Sequence, residues 1–388
     1  MGYKSMQLHL RAGHDIFLLL KRGENMDLDY IIDEGVLLNC SGEGSNARIP
    51  HGVHTVAGHV FSHPEKIRTI TLPDTVRELE EHAFEGCAHV RSIDLPNSIR
   101  IIDDHVFSHW EELREIHIPE GVETVGDECF EHCVGLERVY LPDSLHNMGR
   151  AAFYGCRALQ QVRFPKGSTT IDLSGCFGLR EYLVPDGAEV IDFYQCNALE
   201  KVNIPHSVSC IEYKSFAYCK SLRNILIPDS VLAIEDFAFE HCEKLESVEI
   251  PDSVQSIGRR AFAGCKSLRR VKLPRGLETL ADELFENCAA LDSITLPGQL
   301  KSIGEESFSG CAALGEIDLP GTVEKIGRDA FSGCERLKSI HCKNKTLLTA
   351  DNVRNSPYGE KHGICSHCGG KLGLLGGCGR CRKPRKYR

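Results

Sequence analysis

Four cysteines near the end of the chain offer the clearest chemistry. Cys365, Cys368, Cys378 and Cys381 stand in CSHCGGKLGLLGGCGRC as C-x2-C-x9-C-x2-C. Two such knuckles can wrap one tetrahedral ion. Four thiolates make the closed, structural kind of zinc site, with no position left for a substrate. So short a segment cannot bury a core of its own, so a structural Zn2+ would supply its folding energy. The spacing predicts a small zinc ribbon. Paired C-x-x-C motifs can also be redox-active, but no thioredoxin-like βαβ pattern surrounds these.

Two further groups could act on partners. The chain ends in RCRKPRKYR, where Arg380, Arg382, Lys383, Arg385, Lys386 and Arg388 make six basic residues in nine, although the whole chain carries a net charge of −10. Such an arm suits an anionic partner, a nucleic acid or an acidic protein, and a solvated tail is the plainer reading. Histidines recur at a fixed spacing: His59, His82 and His105 at one step of 23, then His63, His109 and His132 four places further along. Stacked at about 4.8 Å, such columns could hold a soft divalent ion or repel one another on protonation. No carboxylate joins them at a set spacing in the sequence, so a solvated edge is the simpler expectation.

What positions these groups is a repeat. Prolines fall every 23 residues from Pro50 to Pro320, except for two steps of 20 that end at Pro185 and Pro205. Cysteine follows fourteen places after most of them, from Cys87 to Cys334, and eleven places after in the short units, at Cys176 and Cys196. Pro64 and Trp110 interrupt the cysteine slot. Each unit reads L-x-x-I-x-[LI]-P, then S-V-x-x-I-G, then A-F-x-G-C. The first block alternates as a short strand does, and proline ends it by removing a ladder donor. The I-G step predicts a second short strand followed by a turn glycine. A-F-x-G-C predicts one helical or 3-10 turn. One such unit cannot close a core, whereas stacked units bury their leucines, phenylalanines and cysteines as columns in a solenoid. Twelve of the 16 phenylalanines share one column. The ladder cysteines read as small buried hydrophobes.

The frame is therefore structural, and the variable letters are surface. In the column two before each proline, polar residues give way to Tyr140, Arg163 and Leu183 near the middle. Six of the ten tyrosines lie between residues 140 and 218, around the two short units. Tyrosine and arginine are typical interface anchors. Tyr140, Arg163, Leu183, Tyr194 and Tyr213 are thus candidate partner contacts. The competing reading is that bulky rings fill the gap left by the three missing residues.

The three blocks, best seen from Ser207 to Cys334, resemble the BspA-like leucine-rich repeat family over about residues 27 to 342. The resemblance implies a right-handed solenoid with a strand-lined face, and a capping hairpin in YIIDEGVLLNCSGEGSNARIP, Tyr30 to Pro50. Family members are mostly bacterial or protist, bind other proteins, and are often secreted or on the cell surface, adhesins included. The expected order is a leader over 1–25, untranslated if translation starts at Met26, the capping hairpin over 26–49 and repeats over 50–342. A cap or linker over 343–361 follows, then the ribbon and tail over 362–388.

No stretch reaches the ~18 apolar residues of a membrane span. IFLLL, Ile16 to Leu20, is too short for a signal core, and Lys21 and Arg22 lie on its wrong side. That points to the cytoplasm, with export as the alternative. No G-x-S-x-G elbow, P-loop or H-E-x-x-H motif is present. The expectation is a non-enzymatic protein-binding scaffold with the ribbon as a second contact. The alternatives are an adhesin-like surface protein and a nucleic-acid or ribosome adaptor acting through the basic C-terminus.

Overall fold

The computed structural model describes residues 4–5, 19–22, 28–362 and 371. It divides into two compact units, residues 1–179 and 180–388. The first opens with an antiparallel hairpin, Leu28–Asp33 against Val36–Gly42. Glu34 and Gly35 turn it with φ of 43° and 84°, the left-handed pair that matches strand twist. Leu28, Tyr30 and Ile32 alternate inward. The Tyr30 hydroxyl accepts a hydrogen bond from the Arg48 N–H at 2.9 Å, and burial pushes its pKa up to about 12. Leu19–Arg22 pairs antiparallel with the hairpin and Lys4–Ser5 with Leu19–Arg22, so part of the segment read as a leader joins this sheet.

From the hairpin the pairing becomes parallel. Val36 and Leu37 hand over to Thr55–Val56, then Glu78–Leu79, Ile101–Ile102, Thr124–Val125 and Asn147–Met148, each step being the I-G block of the next coil. A second ladder uses the block before proline: Glu115–His117, Arg138–Tyr140 and Gln161–Arg163. The second unit repeats both, for example Cys210–Ile211, Ala233–Ile234 and Ser256–Ile257 in one ladder and Ser247–Glu249 with Arg270–Lys272 in the other. Each coil thus pairs only with its neighbours, the arrangement expected of a repeat solenoid. The serine of S-V fits the same scheme. Ser144, Ser230 and Ser253 donate to the carbonyls of Val122, Val208 and Val231 one coil back.

Two sequence expectations change. The A-F-x-G-C block is not a helical or 3-10 turn. It is a run of tight turns, closed by bonds such as Cys133 N–H to Phe130 O at 3.1 Å, with left-handed residues just before and inside it, Glu128 (φ 52°) and His132 (φ 54°), and alternate N–H groups reach the next coil: Phe130 N–H to Ala152 O at 2.8 Å and His132 N–H to Tyr154 O at 2.8 Å. A helix would have kept those donors within the segment. The I-G glycine, in turn, is not there for a left-handed backbone. A Cβ on Gly149 would sit 2.1 Å from the Gly126 carbonyl carbon, so contact between coils excludes any side chain.

The core columns form as the repeat predicts. Phe130 stacks on Phe107 and Phe153 at 5.4 and 5.5 Å, and Phe239 on Phe216 and Phe262 at 5.2 Å each. The cysteines do more than fill space. Cys133, Cys156, Cys242 and Cys265 each donate S–H to a phenylalanine carbonyl of the previous coil at 3.1–3.2 Å. Trp110, standing in a cysteine slot, does the same with its indole N–H, to Phe84 O at 2.9 Å. In the short units an aspartate bridges the missing residues. Asp172 accepts from Ser174 N–H at 2.9 Å and Asp192 from Tyr194 N–H at 2.7 Å. At the far end Asn352 O accepts from Phe331 N–H, and Pro357–Lys361 forms a short helix capped by Ser356.

Candidate functional site

Cys365, Cys368, Cys378 and Cys381 lie outside the described residues, as do Arg380, Arg382, Lys383, Arg385, Lys386 and Arg388. The other candidates are placed, and they do not share one surface.

In the first unit, Tyr140 and Arg163 face outward on the strand ladder. His117, Tyr140 and Arg163 are in register on three paired strands, and the Tyr140 ring stacks on His117 at 4.1 Å. Tyr140 is 45% exposed. In the second unit Leu183 holds the same sequence slot, two before proline, and is 80% exposed. Two coils on, Leu226 is 81% exposed in that slot. Asn203 between them is fixed, accepting from Val184 N–H at 2.7 Å and donating to Val184 O at 3.1 Å. Leu226 shares the slot of Leu183, and that shared slot was the signal available to find it.

Tyr194 and Tyr213 sit elsewhere, among the turns of the second unit. They converge on Lys214, whose ammonium lies 5.8 Å from the Tyr194 ring, 5.0 Å from Tyr213 and 5.6 Å from Phe237, within cation–π range. A hydrogen bond with Tyr213 raises the Lys214 pKa. Beside this cluster Arg260 binds Glu240 at 2.9 Å, Glu286 at 2.8 Å and Glu283. The remaining tyrosines support the gap-filling reading. The Tyr154 ring covers Gly175 of a short coil, and Tyr182 packs 5.8 Å from Phe193. Rings near the short coils thus pack on neighbours at Tyr154 and Tyr182, whereas Tyr140 and Tyr213 stay exposed.

The histidine columns form in the first unit. His59, His82 and His105 stack at 4.8 and 4.6 Å with rings within 10° of parallel. Carboxylates do join them, contrary to the sequence reading. Glu85 Oε2 lies 3.1 Å from His82 Nδ1 and 3.7 Å from His59 Nδ1. Glu128 and Glu131 flank His105 at 3.8 and 3.9 Å. Glu85 lies only three residues beyond His82, so the turn rather than a linear motif makes the group. His109 stacks on His132 at 5.1 Å. On the strand side of the same unit, hydrogen bonds from His89 and Arg91 hold the Glu112 carboxyl down at about 2.

Among the described residues no helix is long and apolar enough to cross a membrane. The family described as BspA type leucine rich repeat region matches residues 31–160, 81–191, 124–245, 189–313 and 232–353. A leucine-rich repeat protein from Bacteroides ovatus is similar in structure, with a TM-score of 0.73 and 26% identity over 89% of this chain and 94% of that one. A leucine rich cell surface protein from Faecalibacterium prausnitzii has a TM-score of 0.50 and 25% identity over 83% and 94% of the two chains. A leucine-rich repeat protein from Eubacterium ventriosum, at 21% identity over 86% and 98%, shares the fold with a TM-score of 0.51. No curated protein matches the chain by sequence. With the family's repeat matched from residue 31 to residue 353, and with proline, phenylalanine and cysteine each holding one column, the chain belongs to the BspA type leucine-rich repeat family.

Proposed function

We propose that this chain is a protein-binding scaffold whose main contact is the outward strand column, anchored in the second unit by Leu183 and Leu226. Their exposure carries the reading, at 80% and 81%. The frame has no use for a leucine there, and burying one against a partner is worth roughly 1.5–3 kcal/mol. Asn203 and the paired strands keep the column rigid, which lowers the entropy lost on binding. His117, Tyr140 and Arg163 supply an aromatic and cationic patch of the interface type on the first unit's ladder. Tyr194 and Tyr213 form a smaller contact at the turn edge. No catalytic role is proposed for any of these groups.

The test is capture of partners from host lysate by tagged full-length protein. Three parallel captures use Leu183→Ser with Leu226→Ser, nuclease treatment, and deletion of residues 362–388. The scaffold reading expects partners that survive nuclease and deletion and weaken at least tenfold with the double serine variant. Partners lost on nuclease and deletion would move the function to the basic tail and its nucleic-acid reading.

The C-terminal cysteines enter this proposal as a structural zinc ribbon. Full-length protein should hold one tightly bound Zn2+ that is lost in Cys365→Ser with Cys378→Ser; unchanged metal content would reject the ribbon. We place the scaffold in the cytoplasm because of its many unbridged thiols. Display on the cell surface is the second reading, favoured by the description of the Faecalibacterium prausnitzii protein. Protease shaving of intact cells separates them, since only a surface protein is digested.

A further inference from the structure

We propose that the histidine edge of the first unit is a divalent transition-metal site, with His59, His82 and Glu85 as its ligands. Their ligand atoms all lie within 4.8 Å of one another. The 3.1 Å between His82 Nδ1 and Glu85 Oε2 is the separation of neighbouring ligands around one ion at metal–ligand distances of about 2.1 Å. His59 Nδ1, at 3.7 Å from the same oxygen, needs a small approach. The parallel stack directs the two imidazole lone pairs side by side rather than at one point. Binding therefore requires one ring to turn, and His59, with its side chain 69% exposed, is free to do so.

His82 is prepared for the part. Its Nε2 lies 3.1 Å from Glu81 Oε1, so a carboxylate stands beside the ring nitrogen that faces away from Glu85, where the outer partner of a metal-binding imidazole would stand. That leaves Nδ1 toward Glu85, buried and without a hydrogen-bond partner. Two imidazoles and one carboxylate favour zinc, nickel, cobalt or copper over magnesium or calcium. One coil further, His105 with Glu128 and Glu131 repeats the group with fewer nitrogens and makes a weaker companion site.

The C-terminal cysteines would compete for such an ion, so the test uses full-length protein carrying Cys365→Ser and Cys378→Ser, titrated with Co2+ alone. With Cys368→Ser and Cys381→Ser added so that no ribbon thiol remains, the expected result is a visible d–d spectrum without a near-ultraviolet thiolate band, since the ladder cysteines are buried thiols. His82→Ala in that background should weaken Co2+ binding about 100-fold and Glu81→Gln about 10-fold, the range seen for partners of metal ligands. Glu85→Gln keeps the shape of a half-buried side chain and should also weaken binding, which guards against misfolding of the alanine variant. Equal Co2+ affinity in the parent, His82→Ala and Glu85→Gln, or no binding in the parent, overturns the proposal.

Discussion

One slot, nine places after proline, can be compared between the two units. In the first it holds His59, His82, His105, Glu128 and Ala151, and in the second Lys214, Phe237, Arg260, Glu283, Glu306 and Asp329. Every one of these residues has φ between 50° and 61°. The backbone is thus the same, and only the side chains differ. In the second unit the groups neutralise each other. Lys214 lies among rings, and Arg260 is enclosed by Glu240, Glu283 and Glu286. In the first, imidazoles and carboxylates face one another at 3.1–3.9 Å. A fixed frame thus carries a closed electrostatic network in one half and an open donor set in the other.

Removing the central charge of the closed network should have the largest effect. Arg260→Ala leaves the partly buried Glu240 and Glu286 without their cation, and Glu283 with Arg259 alone, and should lower stability by about 3 kcal/mol in urea unfolding. His82→Ala, without added metal, should change it by less than about 0.5 kcal/mol. Equal losses would erase the contrast.

Acid should sharpen it next. Burial alone would raise the Glu283 carboxyl, but hydrogen bonds from Arg259 and Arg260 outweigh it and hold the pKa below the ordinary range. A lowered folded-state pKa means that this contribution is complete above the unfolded value, near 4.3, and is lost as pH falls through the folded value. Unfolding midpoints of the wild type should therefore drop below pH ~4, while those of Arg260→Ala should drop less. Parallel curves would show that Arg260 does not set the Glu283 pKa.

The smallest effect tests what the two edges share. Ala151→Gly relaxes a left-handed residue with almost no side chain to lose and should stabilise the protein by roughly 0.5–1 kcal/mol. A loss of stability would mean that the slot is not strained.

The columns were legible from spacing alone because phenylalanine, cysteine and proline each hold a position that only they fill well. The thirteen in-phase prolines were enough to place both ladders. The turn conformation was not legible, since A-F-x-G-C has helical composition and only its hydrogen bonds to the next coil reveal otherwise. Nor was the role of the I-G glycine, because the close packing of Gly149 on Gly126, which leaves no room for a Cβ, leaves no mark on composition. At the candidate sites, Leu183 was readable from its outward slot, whereas Glu85 was not seen as a partner of His59 because they lie 26 residues apart in the chain and one coil apart in space. Tyr213 stood out by its type, whereas Lys214, which lies 5.0 Å from its ring, did not, since a lysine beside a tyrosine carries no periodic signal.

Trp110 gives the molecule an optical asymmetry. It is the single tryptophan of the chain, fully buried, with its indole fixed on the Phe84 carbonyl. The second unit, residues 180–388, contains none. Intrinsic fluorescence therefore observes the melting of one half of the repeat array in silence from the other, while circular dichroism sums over both. The gap between the two traces measures how far cooperativity spreads along a chain whose coils touch only their neighbours.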